Sequence, residues 1–232
     1  MPELINSSQN TSGRLGNILF RDFVCSYISK QTGLKYYYKN YTFLKSMGIR
    51  LHKGTKTYNT NLRLTNTNVD AIFDKTPECN IEIGGEWQTP IVAKYIRSVI
   101  VENNKVIKDN NNNLFVHVRL DGIFDTGHAE TFEYYDKAIQ GIKFDTGFIS
   151  SDSINHEICT KLIDKYNLKV YNSNEINTIK FGSSCKNIVL SKGTFSWWIG
   201  VFSFDSNVYY PVMRKIWHGS IFIFPDWFEI DY

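Results

Sequence analysis

Residues 187–200, with the sequence Asn-Ile-Val-Leu-Ser-Lys-Gly-Thr-Phe-Ser-Trp-Trp-Ile-Gly, are the most informative segment of the chain. Its first four residues are apolar and rich in β-branched side chains, which predicts a buried strand, and the apolar run from Phe195 to about Ser203 predicts a buried helix. A small polar loop, residues 191–194, lies between them. This order aims loop hydroxyls and helix N–H groups at one point, where α/β proteins bind anionic ligands such as phosphates. A core helix with an ordinary Ser or Thr cap is the alternative interpretation.

Composition and charge argue against several classes of protein. The chain has 232 residues, of which 42% are hydrophobic, so it can bury one large core or two smaller ones. Its formal net charge is only +3 and the basic residues are scattered, which argues against a nucleic-acid partner. No apolar run reaches the roughly 18 residues of a membrane span, and residues 1–12 lack the apolar core of a signal peptide. We therefore expect a cytoplasmic protein without a stable membrane span.

The cysteines give no sign of a metal site. Cys25, Cys79, Cys159 and Cys185 are far apart in the sequence and form no CxxC pair. Their spacing predicts neither a zinc site nor a small disulfide framework. Reduced thiols are the default state in a cytosolic protein.

An Asn-rich run at residues 109–113 divides the chain into two predicted halves, 1–109 and 114–232. In the second half, predicted strands alternate with predicted helices, which indicates right-handed βαβ units on a parallel sheet. The predicted strands are 114–119, 147–151, 168–171, 187–190 and 207–210, and the predicted helices are 131–142, 154–166, 175–184 and the run from 195. The first half is less regular, with predicted helices at 16–29 and 90–101, predicted strands at 34–38 and 81–84, and no clear prediction for 53–70.

The strand at 114–119 carries the first candidate site residues. Alternation with a period of two places Phe115, His117 and Arg119 on one face, and Arg119 lies at the carboxyl end, where open α/β sheets bind ligands. A guanidinium there can form a fork on a diphosphate, and His117 can orient Arg119 or the ligand. The alternative is a strand that ends in a solvated Arg, with His117 satisfied in the core.

A second predicted strand also ends in small polar residues. Ser151 and Asp152 can bind a ribose or a base, but Asp152 or Ser153 can equally cap the next helix. Farther upstream, Gly13-Arg-Leu-Gly-Asn17 precedes the first predicted helix. Its glycines let a ligand approach the backbone, and Arg14 and Asn17 add donors.

The predicted loop at residues 121–130 directly follows Arg119. It contains Asp121, Asp125, His128 and Glu130, any of which could deprotonate an acceptor hydroxyl. Surface loops also carry such residues for solubility, so both interpretations stay open.

Short segments along most of the chain match, in the same order, the motifs of one known family. They are Gly13-Arg-Leu-Gly-Asn-Ile-Leu-Phe20, Gly85-Glu-Trp-Gln88, His117-Val-Arg119, Tyr134-Tyr-Asp-Lys-Ala-Ile139, Ser150-Ser-Asp152, Ser191-Lys-Gly-Thr-Phe-Ser-Trp-Trp198, Tyr210-Pro211 and Pro225-Asp-Trp227. In these segments the chain resembles the α-1,2-fucosyltransferase family and its relatives, the inverting transferases that use GDP-fucose. The segments 117–119 and 191–198 are the specific ones.

The resemblance implies a GT-B-like fold, in which two Rossmann-like α/β halves face a cleft, the N-terminal half lies on the acceptor side and the C-terminal half binds the nucleotide sugar. It implies an inverting glycosyltransferase, independent of metal and cofactor, that moves fucose from GDP-fucose to a hydroxyl of a glycan acceptor. The implied catalytic residues are Arg119, Asp121 and Asp125. The implied donor-binding residues are Arg14, Gly16, Asn17, His117, Arg119, Ser151, Asp152, Thr194, Phe195 and Ser196.

One departure from the family pattern bears on activity. The family's HxRRGD motif is His-Val-Arg-Leu-Asp-Gly in this chain, so Leu120 stands where the family has a second Arg and its donor contacts are lost. The place of the family's Asp is open between Asp121 and Asp125. Two alternative hypotheses therefore remain: the same fold with another nucleotide-sugar donor, and a non-catalytic carbohydrate- or nucleotide-binding module.

Overall fold

The computed structural model describes residues 14–38, 41–64, 78–103, 111–121, 129–203, 205–213 and 220–232. The chain divides into two compact units, Met1–Val106 and Ile107–Tyr232. The boundary between them lies close to the Asn-rich run that marks the division predicted from the sequence.

The described part of the first unit combines helices with a short parallel strand pair. Its elements are α1 Leu15–Thr32, α2 Tyr41–Ser46, β1 Asn61–Leu64, β2 Asn80–Ile83 and α3 Pro90–Asn103. Strands β1 and β2 pair in parallel, and α1 contacts α3 through the Ser26 and Tyr95 hydroxyls, whose oxygens are 2.9 Å apart. Helix α1 ends where Gly33 takes the left-handed conformation and donates its N–H to the Ser29 carbonyl at 2.8 Å.

The strand predicted at 34–38 is wrong. An isolated bridge between Leu34 and Lys56 takes its place. The Ser29 hydroxyl donates to the Leu34 carbonyl at 2.6 Å, so a side chain of α1 uses a backbone acceptor that a strand would need for its own pairing.

The second unit is an α/β domain built on a parallel sheet, as its alternating pattern predicts. Its elements are β3 Leu114–Val118, α4 Phe132–Ile139, β4 Gly147–Ser151, α5 Glu157–Tyr166, β5 Lys169–Val170, α6 Glu175–Ser184, β6 Asn187–Val189, α7 Thr194–Val201, β7 Asn207–Pro211 and β8 Phe228–Ile230. The six described strands are all parallel and lie in the order β5-β4-β3-β6-β7-β8.

The strand order reverses its direction once, at the centre of the sheet. The chain proceeds from β3 to one edge through β4 and β5, and then returns to the other side of β3 with β6. In strand order the sheet corresponds to 3-2-1-4-5-6, the order of Rossmann-like nucleotide-binding folds. Ligands of such sheets bind beyond the carboxyl ends of the two strands where the direction reverses, which are β3 and β6 here.

Helices cover both faces of the sheet, and the alternation along β3 decides which side chains meet them. Leu114, Val116 and Val118 pack into a buried cluster with residues of α4 and α5. On the opposite face, the Phe115 ring lies 5.9 Å from the Phe181 ring of α6, centroid to centroid. His117 shares this second face, so the sheet directs it toward the helices that follow β5 and β6.

The cap predicted for the helix after β4 is wrong. Helix α5 begins at Glu157, and its N-cap is His156, whose Nδ1 accepts the N–H of Ile158 at 3.2 Å. The residues between β4 and this cap form turns. The Asp152 carboxylate instead accepts backbone N–H groups from the chain that follows β3.

Candidate functional site

The candidate site lies where β4, β3 and β6 end. Because the strands are parallel, their carboxyl ends meet at one edge of the sheet. This edge brings together Asp152 after β4, Arg119 after β3, and Ser191 in the loop after β6.

Arg119 and Asp152 form a half-buried ion pair at this edge. Arg119 Nε is 3.5 Å from Asp152 Oδ2, and the two side chains are 21% and 26% exposed. The other carboxylate oxygen, Oδ1, accepts the N–H of Leu120 at 2.9 Å and the N–H of Asp121 at 3.2 Å. One carboxylate therefore holds both the guanidinium and the backbone that follows it, which orders a cation that a diphosphate can approach.

His117, Ser191 and Ser196 form a buried polar cluster behind that edge. His117 Nδ1 lies 2.5 Å from Ser196 Oγ, which is 2.7 Å from Ser191 Oγ and accepts the Ser191 N–H at 3.2 Å. All three residues are buried. The cluster therefore ties β3 to the β6–α7 loop, and the hydroxyl of Ser196 is engaged inside the protein.

His117 is neutral in the folded protein. Burial lowers its pKa to about 4, the positive charge of Arg119 acts in the same direction, and the carboxylate of Asp152 opposes it. Its ring also lies 5.1 Å from the ring of Phe195, centroid to centroid. These contacts fix the orientation of the His117 ring, with Phe195 packed against it.

The β6–α7 loop presents the beginning of a helix to the same edge. Gly193 is the N-cap of α7 with φ 116°, a conformation that residues with a side chain rarely adopt, and no side chain caps the helix there. Thr194 and Phe195 are half-buried. The first turn of α7 thus carries its partial positive charge toward the carboxyl edge of the sheet.

A fully buried carboxylate, Glu130, contacts this loop. Lys192 Nζ is 2.5 Å from Glu130 Oε1, and the Tyr232 hydroxyl donates to Glu130 Oε2. The sequence offers Glu130 as one of several loop bases. The structure instead makes it the buried partner of Lys192, and nothing in the local pattern of residues signals that pairing.

The first unit holds the other predicted donor-binding residues. Helix α1 begins at Leu15, one residue before its predicted start, so Gly16 and Asn17 lie in its first turn. Arg14 is the exposed N-cap, and its carbonyl accepts the Asn17 N–H at 3.0 Å. Asn17 Oδ1 accepts from Nε2 of the buried Gln88 at 3.0 Å, which brings together the segments 13–20 and 85–88.

The remaining predicted site residues of the second unit are Asp121, Ser151, Asp125 and His128. Asp121 is exposed, and Ser151 Oγ accepts the Ser153 N–H at 3.0 Å, a local turn contact. Asp125 and His128 lie outside the described residues. Over the described ranges, no group of three His, Cys, Asp or Glu side chains suits a metal ion, and no helix is long and apolar enough to cross a membrane.

Comparisons of the chain with protein-family models, with curated proteins and with solved structures find no match. What bears on function is therefore the chemistry of the residues themselves. The strongest feature is the central edge of the second unit, where an ordered guanidinium, a helix N-terminus and an ion-paired lysine follow adjacent strands.

Proposed function

We propose that the chain is an inverting, metal-independent glycosyltransferase that moves fucose from GDP-fucose to a hydroxyl of a glycan acceptor. The observation that carries the proposal is Arg119, which follows β3 at the reversal point of the sheet beside the β6–α7 loop. A Rossmann-like sheet binds nucleotides at this position. The resemblance of segments 117–119 and 191–198 to GDP-fucose transferases adds the donor class.

The reaction makes a leaving group of the nucleoside diphosphate. The bond between the anomeric carbon and the phosphate oxygen breaks, and its electron pair stays on that oxygen. The Arg119 guanidinium, the Thr194 hydroxyl and the first N–H groups of α7 then stabilise the growing negative charge. Because these groups are ordered before the donor binds, they need little rearrangement during the reaction.

The acceptor hydroxyl completes the exchange. Its oxygen attacks the anomeric carbon from the face opposite the leaving group, which inverts the configuration, and its proton passes to a carboxylate or to water. Asp121 is the described candidate for that base, since it is exposed and lies two residues after Arg119. In the GT-B-like arrangement that belongs to this proposal, the first unit binds the acceptor.

Binding of GDP to an Arg119→Ala variant tests the proposal. We expect wild-type protein to bind GDP and to be stabilised by it against heat, because a ligand that binds only the folded state raises the melting temperature. Loss of charge-assisted hydrogen bonds should weaken GDP binding by about 10- to 100-fold. Arg50→Ala, which removes an exposed Arg of the first unit, is the matched control and should bind normally.

Four outcomes of binding and activity measurements separate the hypotheses. Transfer from GDP-fucose that persists in EDTA supports the full proposal. Binding of GDP without hydrolysis or transfer by the wild type indicates a binding module, and preference for UDP indicates another donor. If neither nucleotide binds, the proposed site is wrong.

A further inference from the structure

Lys192 is a second cation at the edge of the sheet where Arg119 lies. It is in the loop between β6 and α7, and β6 pairs directly with β3. Neighbouring strands are about 4.8 Å apart, so residues that follow the two strands can contact one small ligand. The Lys192 side chain is 19% exposed, whereas that of its partner Glu130 has no exposed surface.

The ion pair with Glu130 holds the Lys192 side chain in place, although burial of the Glu130 carboxylate costs free energy of folding. Burial of a carboxylate is unfavourable, and an apolar pair of similar volume is often as stable or more stable. Glu130 is held by the Lys192 ammonium and the Tyr232 hydroxyl. What the pair does achieve is to fix one direction for a long side chain that would otherwise lose substantial rotamer entropy on binding a ligand.

A buried hydroxyl supplies a second observation at this edge. Tyr135 lies in α4 with its hydroxyl beside Ser191 and the backbone of Arg119, and no described group completes a hydrogen bond of good geometry with it. A buried hydroxyl with incomplete hydrogen bonding can take a further hydrogen bond from water or from a ligand atom. It lies between the two loops that carry the cations.

We infer that Lys192 is a further donor-binding residue, which contacts the diphosphate of the nucleotide sugar, and that Glu130 is its positioning residue. This inference rests on the proposed function. Leu120, which stands where the related motif has a second Arg, is buried and apolar, so Lys192 supplies the second positive charge from the neighbouring strand. Each cation is held by one carboxylate, Arg119 by Asp152 and Lys192 by Glu130.

The first test compares two lysines at opposite ends of the same strand. Lys192→Met removes the charge at the carboxyl end of β6 and keeps the length of the side chain. Lys186→Met removes the same charge at the amino end, where Lys186 is exposed and donates to the Asp205 carbonyl at 2.7 Å. By titration calorimetry, we expect GDP binding about tenfold weaker or more for Lys192→Met, near wild type for Lys186→Met, and largely restored for Lys192→Arg.

The second test asks whether Glu130 acts through Lys192. Glu130→Gln should weaken GDP binding in the wild-type background, and the same change in Lys192→Met should have no further effect. Lys192→Met leaves the buried Glu130 carboxylate without its cation. The double variant removes that carboxylate as well, so it can be measured even if Lys192→Met alone does not fold. An equal effect of Glu130→Gln in both backgrounds would show that Glu130 has only a structural role.

Failure of this inference is distinct from failure of the proposed function. If wild-type protein binds GDP and Arg119→Ala weakens that binding, but Lys192→Met binds as wild type does, Lys192 is no donor-binding residue and the proposed function stands. If wild-type protein binds neither GDP nor UDP, both are overturned.

Discussion

At the carboxyl edge of the sheet, partly exposed charged side chains lie in front of buried polar side chains. Arg119 and Lys192 are partly exposed cations, and each has a carboxylate partner. Ser196 and His117 are buried and bonded to each other. The sequence identifies these polar residues by type, but only the structure shows that Ser196 and His117 are buried.

The buried imidazole makes stability depend on pH. The pKa of His117 is about 4 in the folded protein because burial disfavours its charged form, against about 6.5 for an exposed imidazole. Between these values the unfolded chain binds a proton that the folded chain does not, so the free energy of unfolding falls as the pH drops. At about pH 4.5 the loss from this group should reach roughly 2 to 3 kcal/mol.

Urea unfolding of His117→Asn at about pH 7 and about pH 4.5 checks this expectation. Asn offers a polar atom near the position of Nδ1 but does not titrate, so the variant should lose less stability than wild type on acidification. His52→Asn changes an exposed histidine and should follow the wild type. An identical acid loss in His117→Asn would contradict a neutral, buried His117.

At the scale of elements, close packing between α6, α7 and β3 supports the β6–α7 loop. A Cβ added to Gly182 of α6 would lie 2.8 Å from the Phe115 ring and 2.8 Å from Ile199 Cγ2. Overpacking of this kind costs about 1 to 3 kcal/mol, which exceeds the roughly 1 kcal/mol that Ala gains over Gly in a helix. Gly182→Ala should therefore lower the free energy of unfolding by up to about 2 kcal/mol.

Gly141→Ala is the matched control for that substitution. A Cβ on Gly141, which follows α4, would have no heavy atom within 4 Å. Chemical denaturation should show unchanged stability or a gain of up to about 1 kcal/mol, from lower entropy of the unfolded chain. Equal losses in the free energy of unfolding for the two variants would mean that a Cβ at Gly182 does not clash with Phe115 or Ile199.

The sequence predicts the bounds of several elements of the second unit well. The bounds predicted for β4 and α6 agree with the structure, and β3 differs only at Arg119. The start of α5 and its cap were wrong because Asp152 has a distant partner, the chain after β3, that local patterns do not show. Strand β8 was missed because its three residues, Phe228–Ile230, are mostly exposed and have little apolar alternation.

Some features of the candidate site depend on local sequence and can be predicted from it, whereas others depend on residues far apart in the chain. The position of Arg119 follows from its place at the end of a buried strand, and the beginning of α7 follows from the apolar run after Gly193. The pairs Arg119–Asp152 and Lys192–Glu130 join residues far apart in the chain, so they require the register of the sheet and the packing of α4.

In the proposed function, the nucleotide binds to one of the two compact units, Ile107–Tyr232. The second unit has its own parallel sheet and buried cluster, and every residue proposed to meet the diphosphate belongs to it. GDP bound at the carboxyl edge should therefore slow amide hydrogen exchange most at that edge.

Hydrogen exchange of the full chain, with and without saturating GDP, tests this assignment. Amides at 119–121 and 191–196 should exchange more slowly with GDP, because the bound nucleotide disfavours local opening of the loops that contact it. The amino edge of the same sheet, at 185–187, serves as the internal control and should change little. Protection confined to the first unit would place the nucleotide in the other half and contradict the assigned roles of both Arg119 and Lys192.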